Sequence, residues 1–188
     1  MDVIGITGGV ACGKSMVTEY LRKQGFEVID ADEMVAALHK KKAIREEIHN
    51  HFQTNDKEKI REIIFANPAA KEVLESILHP LVHKEIEKLI QKHRKQKTPI
   101  LFFVIPLLFE THMENLFDTT VAIVSSQKNQ EARLIKRDNI SLEQAQKIIY
   151  SQIPNARKAE LANYTLTNNG TQKALQQKVS TLLKKIQS

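Results

Sequence analysis

The sequence predicts an α/β domain of three layers, a five-stranded parallel sheet between helices, interrupted by a helical insertion. Three observations carry this. Five apolar or β-branched runs, Val3–Thr7, Glu27–Asp30, Ile100–Ile105, Thr119–Val124 and Tyr164–Thr167, alternate with stretches of helical period. The runs stay apolar along their length, which suits parallel strands shielded on both faces. The chain has 188 residues, 41% hydrophobic and 27% charged, the size and balance of one folded domain and not of a disordered chain.

The first run begins at once after Met1-Asp2, without the basic start and longer apolar stretch of a secretory signal, and so reads as a strand. From the second run to the third, Ala31 to Pro99, lie roughly 70 residues, where one crossover helix needs about a dozen. Ile60, Ile63, Ile64, Val73, Leu74, Ile77, Leu78, Leu81, Val82, Ile86, Leu89 and Ile90 recur there at three and four, so a small helical subdomain is expected. Pro68 and Pro80 punctuate it, each tolerated at a helix start and not within a helix. The third run, Ile100–Ile105, is the longest and far short of the ~20 residues that cross a bilayer. After the fourth run a helical pair is expected, Gln127–Asp138 and Ser141–Gln152, with Ser141 and Gln144 as a capping box. Helix Thr171–Ile186 closes the chain with Ala174, Leu175, Val179, Leu182 and Leu183 on its apolar face. The expected organisation is a core of residues 1–32, 98–126 and 153–188, an insertion over 33–97 and a helical pair over 127–152. A single cysteine, Cys12, excludes an intrachain disulfide framework and points to a reducing compartment, the cytoplasm.

Directly after the first run, Gly8-Gly9-Val10-Ala11-Cys12-Gly13-Lys14-Ser15 fits G-x-x-x-x-G-K-[ST] in full, between an expected strand and helix. Glycines let successive N–H groups close on a phosphate, and the helix opening near Lys14 adds its positive end. Lys14 is expected on the β- and γ-phosphates of a nucleoside triphosphate, and Ser15 on Mg²⁺. Cys12 has two readings: a thiolate favoured by oriented amides, or a tolerated small residue.

Phosphoryl transfer also needs a group that orients or deprotonates the acceptor. Asp30-Ala31-Asp32 ends the second run, at the sheet edge where ligands of α/β folds bind. Alternatively Asp32 caps the helix beginning near Glu33. No acid ends the third run, which passes into Pro106-Leu107-Leu108-Phe109-Glu110, and no Asn-Lys-x-Asp tetrad is present. A motor ATPase and a switch GTPase are thereby disfavoured; a small-molecule kinase remains.

The assembled residues resemble the dephospho-coenzyme A kinase family. The resemblance rests on Gly5-Ile6-Thr7-Gly8-Gly9 leading into Gly13-Lys14-Ser15, on Val28-Ile29-Asp30-Ala31-Asp32, on Leu78-His79-Pro80-Leu81-Val82, on Pro106 to Glu110, and on Asn168-Asn169-Gly170, in family order over nearly the whole chain. It implies a three-layer P-loop kinase fold with a helical acceptor-binding insertion and a helical lid. It implies transfer of the γ-phosphate of ATP, with Mg²⁺, to the ribose 3′-hydroxyl of dephospho-coenzyme A. Lys14, Asp32 and Arg137 would be catalytic; Gly8, Gly9, Val10, Ala11, Cys12, Gly13, Lys14, Ser15, Met16, Arg133, Asn168 and Asn169 would hold ATP. Asp32, His79 and Leu107 would face the acceptor, although His79-Pro80 also reads as a helix-boundary pair. Arg133 and Arg137, one turn apart in the lid, would clamp the triphosphate. The chain departs from the family pattern at Ala11-Cys12, where Gly-Ser is usual, at Met16, where threonine is usual, and at Thr167, where an aspartate is common.

The sequence leaves two rival readings. Another P-loop kinase, for a nucleoside, nucleotide or shikimate-like acceptor, shares this architecture. A nucleic-acid module is suggested by the net charge of +6 and by Lys92-His93-Arg94-Lys95-Gln96-Lys97, but 5% aromatic residues leave little to stack on bases. No nucleic acid and no membrane partner is therefore expected, and the chain is expected as a monomer or weak homo-oligomer. The loose spacing of seven histidines argues against zinc.

Overall fold

Strand β1 (Asp2–Gly8) is buried from Val3 onward, as a strand covered on both faces must be. In the computed structural model, which describes residues 1–187 apart from the Phe65 side chain, β1 pairs in parallel with β3 (Ile100–Val104) and with β4 (Thr119–Val124). Beyond β4 lies β5 (Tyr164–Thr167), also parallel, and β2 (Glu27–Asp30) forms the opposite edge, giving the order β2-β3-β1-β4-β5. The five expected strands thus make one parallel sheet in an α/β P-loop kinase fold. Its central strand feeds the glycine loop at the carboxyl edge, where ligand crevices of such sheets form.

Side-chain alternation divides the core. On one face Ile4, Ile6, Phe102, Val104, Val121 and Ile123 pack with Val17 and Leu21 of α1 (Lys14–Lys23) and Val179, Leu182 and Leu183 of α9 (Gln172–Ile186). Phe26 meets Phe102 edge-on at 5.5 Å between ring centroids. On β3 the neighbour of Phe102, Phe103, points to the opposite face and meets Phe117 at 5.6 Å. The helix α8 (Asn155–Leu161) packs against β1 and β4 and was not expected from the sequence. It is one short helix with few apolar positions, so its period carries no signal. Between β4 and β5, α6 (Gln127–Asp138) and α7 (Leu142–Tyr150) pack on each other, and the Ser141/Gln144 capping box forms as expected.

The chain forms two compact units, one of Met1–Ile29 with the residues from Gln96 on, the other Asp30–Lys95. In the second, α2 (Ala31–Leu38), α3 (Lys42–Phe52) and α4 (Lys57–Ala66) all pack on α5 (Pro68–Lys95). Pro68 opens α5, as a proline at a helix start should. Pro80 corrects the expectation, because α5 runs through it without a break. An interior proline costs about 3 kcal/mol. On either side of it Ile77, Leu78, Val82, Ile86 and Ile90 are buried, and at roughly 1.5–3 kcal/mol each that stripe outweighs the break. The helix-boundary reading of His79-Pro80 is thereby excluded. Among the described residues no helix is long and apolar enough to cross a membrane.

Candidate active site

The glycine loop turns at the end of β1 and enters α1 at Gly13, whose φ of 102° is open to glycine alone without strain. A Cβ at Gly9 would meet the Asn155 Oδ1 at 2.5 Å and the Gln130 Nε2 at 2.9 Å, so these two amides would have to shift to admit it. Ala11 is the exception, left-handed at φ 56° with a Cβ in place, a conformation that costs roughly 1–2 kcal/mol. Five consecutive loop carbonyls accept bonds from side chains. Lys14 Nζ donates to the carbonyls of Gly8 at 2.7 Å and Gly9 at 3.0 Å. The Val10 carbonyl takes Gln130 Nε2 at 2.7 Å, that of Ala11 takes Arg133 Nη1 at 3.1 Å, and that of Cys12 takes Asn168 Nδ2 at 2.9 Å. A trans peptide sets its N–H opposite its carbonyl, and no peptide here is cis. With the carbonyls of Val10 and Cys12 drawn to these donors, the N–H groups of Ala11 and Gly13 face the other way, as an anion cradle requires.

Several expected ATP ligands therefore act on the protein itself. Arg133 spans the Ala11 carbonyl, the Ser125 hydroxyl at 3.2 Å and the Asn168 carbonyl at 2.9 Å. Asn168 is buried against the loop, and Asn169 Oδ1 accepts from the Ser126 N–H at 2.8 Å, tying the segment after β5 to the start of α6. Arg137, one turn beyond Arg133, grips Asp138 with Nε and Nη2, both at 2.7 Å. Ser15 and Met16 lie in the first turn of α1, Ser15 exposed. One exposed hydroxyl beside the loop amides suits a hard cation that arrives on phosphate oxygens and needs few protein ligands. Cys12 is fully buried, and burial pushes its thiol up despite the opposing Asn155 contact and the Lys14 charge. Desolvation thus outweighs the neighbours that favour the thiolate, which supports the reading of Cys12 as a tolerated small residue.

Sequence reasoning missed the brace behind the loop. Lys158 of α8 has no exposed surface; its Nζ lies 2.8 Å from Glu110 and donates to the Pro106 carbonyl at 2.8 Å. Thr7 Oγ1 donates to the same carbonyl at 3.1 Å, and the Ile153 N–H donates to Glu110 at 3.3 Å. Leu107, expected at the acceptor, sits half-buried in this braced turn, with its carbonyl accepting from Thr111 Oγ1 at 2.8 Å.

The second unit opens with α2 at Ala31, and the cap of that helix is Asp30, whose Oδ1 accepts the Asp32 N–H at 2.8 Å. Capping thus falls to Asp30 and not to Asp32, which stands exposed in the first turn. Asp32 lines a cavity of ≈ 310 Å³ with Val35, Ala36, His39, Lys57, Ile60, Arg61, Ile64 and Leu74. An apolar wall with a few convergent polar groups, at roughly 300 Å³ or more, is the build of a small-molecule site. Burial, with the Lys57 charge beside it, holds the His39 imidazole below its ordinary value. His39, Lys57 and Arg61 were not singled out from the sequence. The signal was present in the stripe Lys57-Ile60-Arg61-Ile64, spaced to share one helix face. His79 is half-buried in α5 and is not among the residues of this wall.

Known proteins are similar to this chain along most of its length. Residues 2–174 match the family model for dephospho-CoA kinase. A dephospho-CoA kinase of Fusobacterium nucleatum is 36% identical over 188 residues, covering 94% of each chain. The crystal structure of TT1252 from Thermus thermophilus superposes at a TM-score of 0.83 with 27% identity, over 98% of this chain and 97% of that one. The dephospho-CoA kinase from Campylobacter jejuni does so at 0.72 with 29% identity, over 98% and 96%. A phosphate loop, an acid-bearing helical unit and likeness along the whole chain converge, and the chain belongs to the dephospho-CoA kinase family.

Proposed function

We propose that this chain transfers the γ-phosphate of ATP to the ribose 3′-hydroxyl of dephospho-coenzyme A, and that its own residues divide the work as follows. The observation that carries the reading is the loop with five carbonyls tied back, because it aims amides at an anion before any ligand arrives. Lys14 exchanges the Gly8 and Gly9 carbonyls for β- and γ-phosphate oxygens, a favourable trade for an ammonium. Ser15 supplies its hydroxyl to Mg²⁺, which when bound neutralises charge on those two phosphates. Arg133 holds the loop, and Arg137 exchanges Asp138 for the transferring phosphoryl, where a preorganised fork offsets the charge that spreads over its oxygens. Asn168 and Asn169 set the segment on the adenine side, and Gly8 to Met16 wrap the phosphates.

Asp32 accepts or orients the proton of the 3′-hydroxyl. The oxygen then attacks the γ-phosphorus, the bond from that phosphorus to the β-bridging oxygen breaks, and ADP leaves. Lys57 and Arg61 face the acceptor's anionic groups, and Val35, Ile60, Ile64 and Leu74 bury its less polar part. His79 and Leu107 contribute to the acceptor's surroundings, from α5 and from the turn after β3 respectively. The test is ADP release from purified protein with Mg·ATP, comparing dephospho-coenzyme A with AMP, nucleosides and shikimate, with the product weighed. Acceptor-dependent ADP and a product one phosphate heavier than dephospho-coenzyme A are expected. Turnover with another of these acceptors alone overturns the acceptor reading.

A further inference from the structure

Ala11 has a Cβ and yet is held at φ 56° in the middle of the phosphate loop. Such a residue stays left-handed only when its surroundings over-determine it. The two peptides that define its φ and ψ are each held from outside. The peptide before it is fixed through the Val10 carbonyl by Gln130 at 2.7 Å, and the peptide after it through its own carbonyl by Arg133 at 3.1 Å and through the Cys12 N–H by the Gly9 carbonyl at 3.2 Å. Gln130 is buried at 4% exposure, and its Oε1 accepts Asn155 Nδ2 at 2.8 Å, which fixes the amide's orientation with Nε2 toward Val10. Asn155 also donates to the Ser125 carbonyl at 2.9 Å. On the far side of the same residue Gln152 Oε1 accepts the Val10 N–H at 2.9 Å. Both polar groups of Val10 are thus held by glutamines from opposite ends of the α6–α7 segment.

We propose that Gln130, braced by Asn155 and seconded by Gln152, is a positioning residue for phosphoryl transfer: it keeps Ala11 left-handed, so that the Ala11 N–H faces the phosphates. The inference rests on the loop being the nucleotide site and not on which acceptor is used. It also predicts an unusual dependence. A glycine at position 11 adopts the same backbone without strain, so the clamp should matter less there.

The experiment is a double-mutant cycle read by calorimetric ADP binding in the presence of Mg²⁺ and by steady-state kinetics. Gln130→Met keeps the side-chain volume and removes the donor. It is expected to weaken ADP binding about tenfold, the usual effect of leaving one buried partner unmatched, and to raise KM for ATP by a similar factor with KM for dephospho-coenzyme A within about twofold. In an Ala11→Gly background the same substitution is expected to weaken ADP binding by about threefold or less, since couplings of contacting residues are of this size. Thermal unfolding verifies that each variant is folded, and Gln152→Met, which strips the Val10 N–H from the other side, supplies the same comparison should Gln130→Met not fold. Unchanged ADP affinity, or an equal loss in both backgrounds, overturns the role. Parent enzyme that binds ADP but phosphorylates no dephospho-coenzyme A overturns the acceptor reading instead and leaves the cycle readable.

Discussion

In the phosphate loop five successive carbonyls each accept a side-chain hydrogen bond, whereas the Asp32 cavity is walled mainly by Val35, Ala36, Ile60, Ile64 and Leu74. The donors to the loop come from α1, α6 and the segment after β5, so its shape is fixed by partners far apart in the chain. Within the second unit, Asp30 caps α2, Asp56 caps α4, and Lys42–Glu46 and Lys71–Glu75 pair one turn apart. The roles proposed for the two regions account for the difference. Phosphate presents one geometry, and preorganised dipoles act on it without reorganising. An acceptor of mixed character is selected by a wall of apolar area with few charges, where binding comes from burial.

The largest effects should separate the two regions by kinetic signature. Asp32→Asn is expected to lower kcat on the order of 10²–10⁴, the range for a lost general base, with ADP affinity unchanged. Lys14→Ala is expected to lower kcat by about 10²–10³, the usual loss for one preorganised donor to developing charge, and to weaken ADP binding as well. Steady-state kinetics beside calorimetry check both. An Asp32→Asn enzyme that loses ADP affinity as strongly as Lys14→Ala would erase the distinction.

Next in size is stability. Lys158 is fully buried on Glu110, so Lys158→Met leaves a carboxylate without its partner and is expected to cost about 3–5 kcal/mol. In the second unit Lys71→Met breaks a pair at 3.7 Å between an exposed lysine and a partly exposed glutamate and is expected to cost less than about 1 kcal/mol. Urea unfolding midpoints of the two variants test the contrast; equal shifts would mean that the Lys158 pair is no more than a surface pair.

The same contrast explains what could be read from the chain alone. Local signals were legible: the glycine loop, the five strands, the Ser141 capping box and the apolar stripe of α9 each lie within one short window. Strand ends differ from the expectation by one residue, with β1 at Asp2–Gly8 and β3 ending at Val104. Partners distant in sequence were hidden. Gln152 meets Val10 across 142 positions and Lys158 meets Glu110 across 48, and a glutamine or lysine on a short helix looks like solvated surface. Pro80 misled because local propensity forbids it, whereas the buried residues on both sides decide.

The smallest effect concerns pH and belongs to the Asp32 cavity. Burial and the neighbouring Lys57 depress the His39 imidazole, so the folded protein resists the proton that the unfolded chain accepts near pH 6.5. More protons bound in the unfolded state means that stability rises with pH. His39 therefore leaves folding unaffected well above about pH 6.5 and opposes it increasingly as the pH falls below that value. Half-exposure and solvent screening keep the effect modest. The unfolding midpoint of the parent is expected to drop on acidification more than that of His39→Gln, the gap opening only on the acid side. Acceptor binding should move the opposite way: an anionic acceptor beside Lys57 and Arg61 favours the protonated imidazole, so KM for dephospho-coenzyme A should fall on acidification in the parent and less in His39→Gln. His39 lines the Asp32 cavity and is no part of the phosphate loop, so KM for ATP should follow the same course in both proteins. A parallel change in both Michaelis constants would place the titrating group on the nucleotide instead of in the cavity.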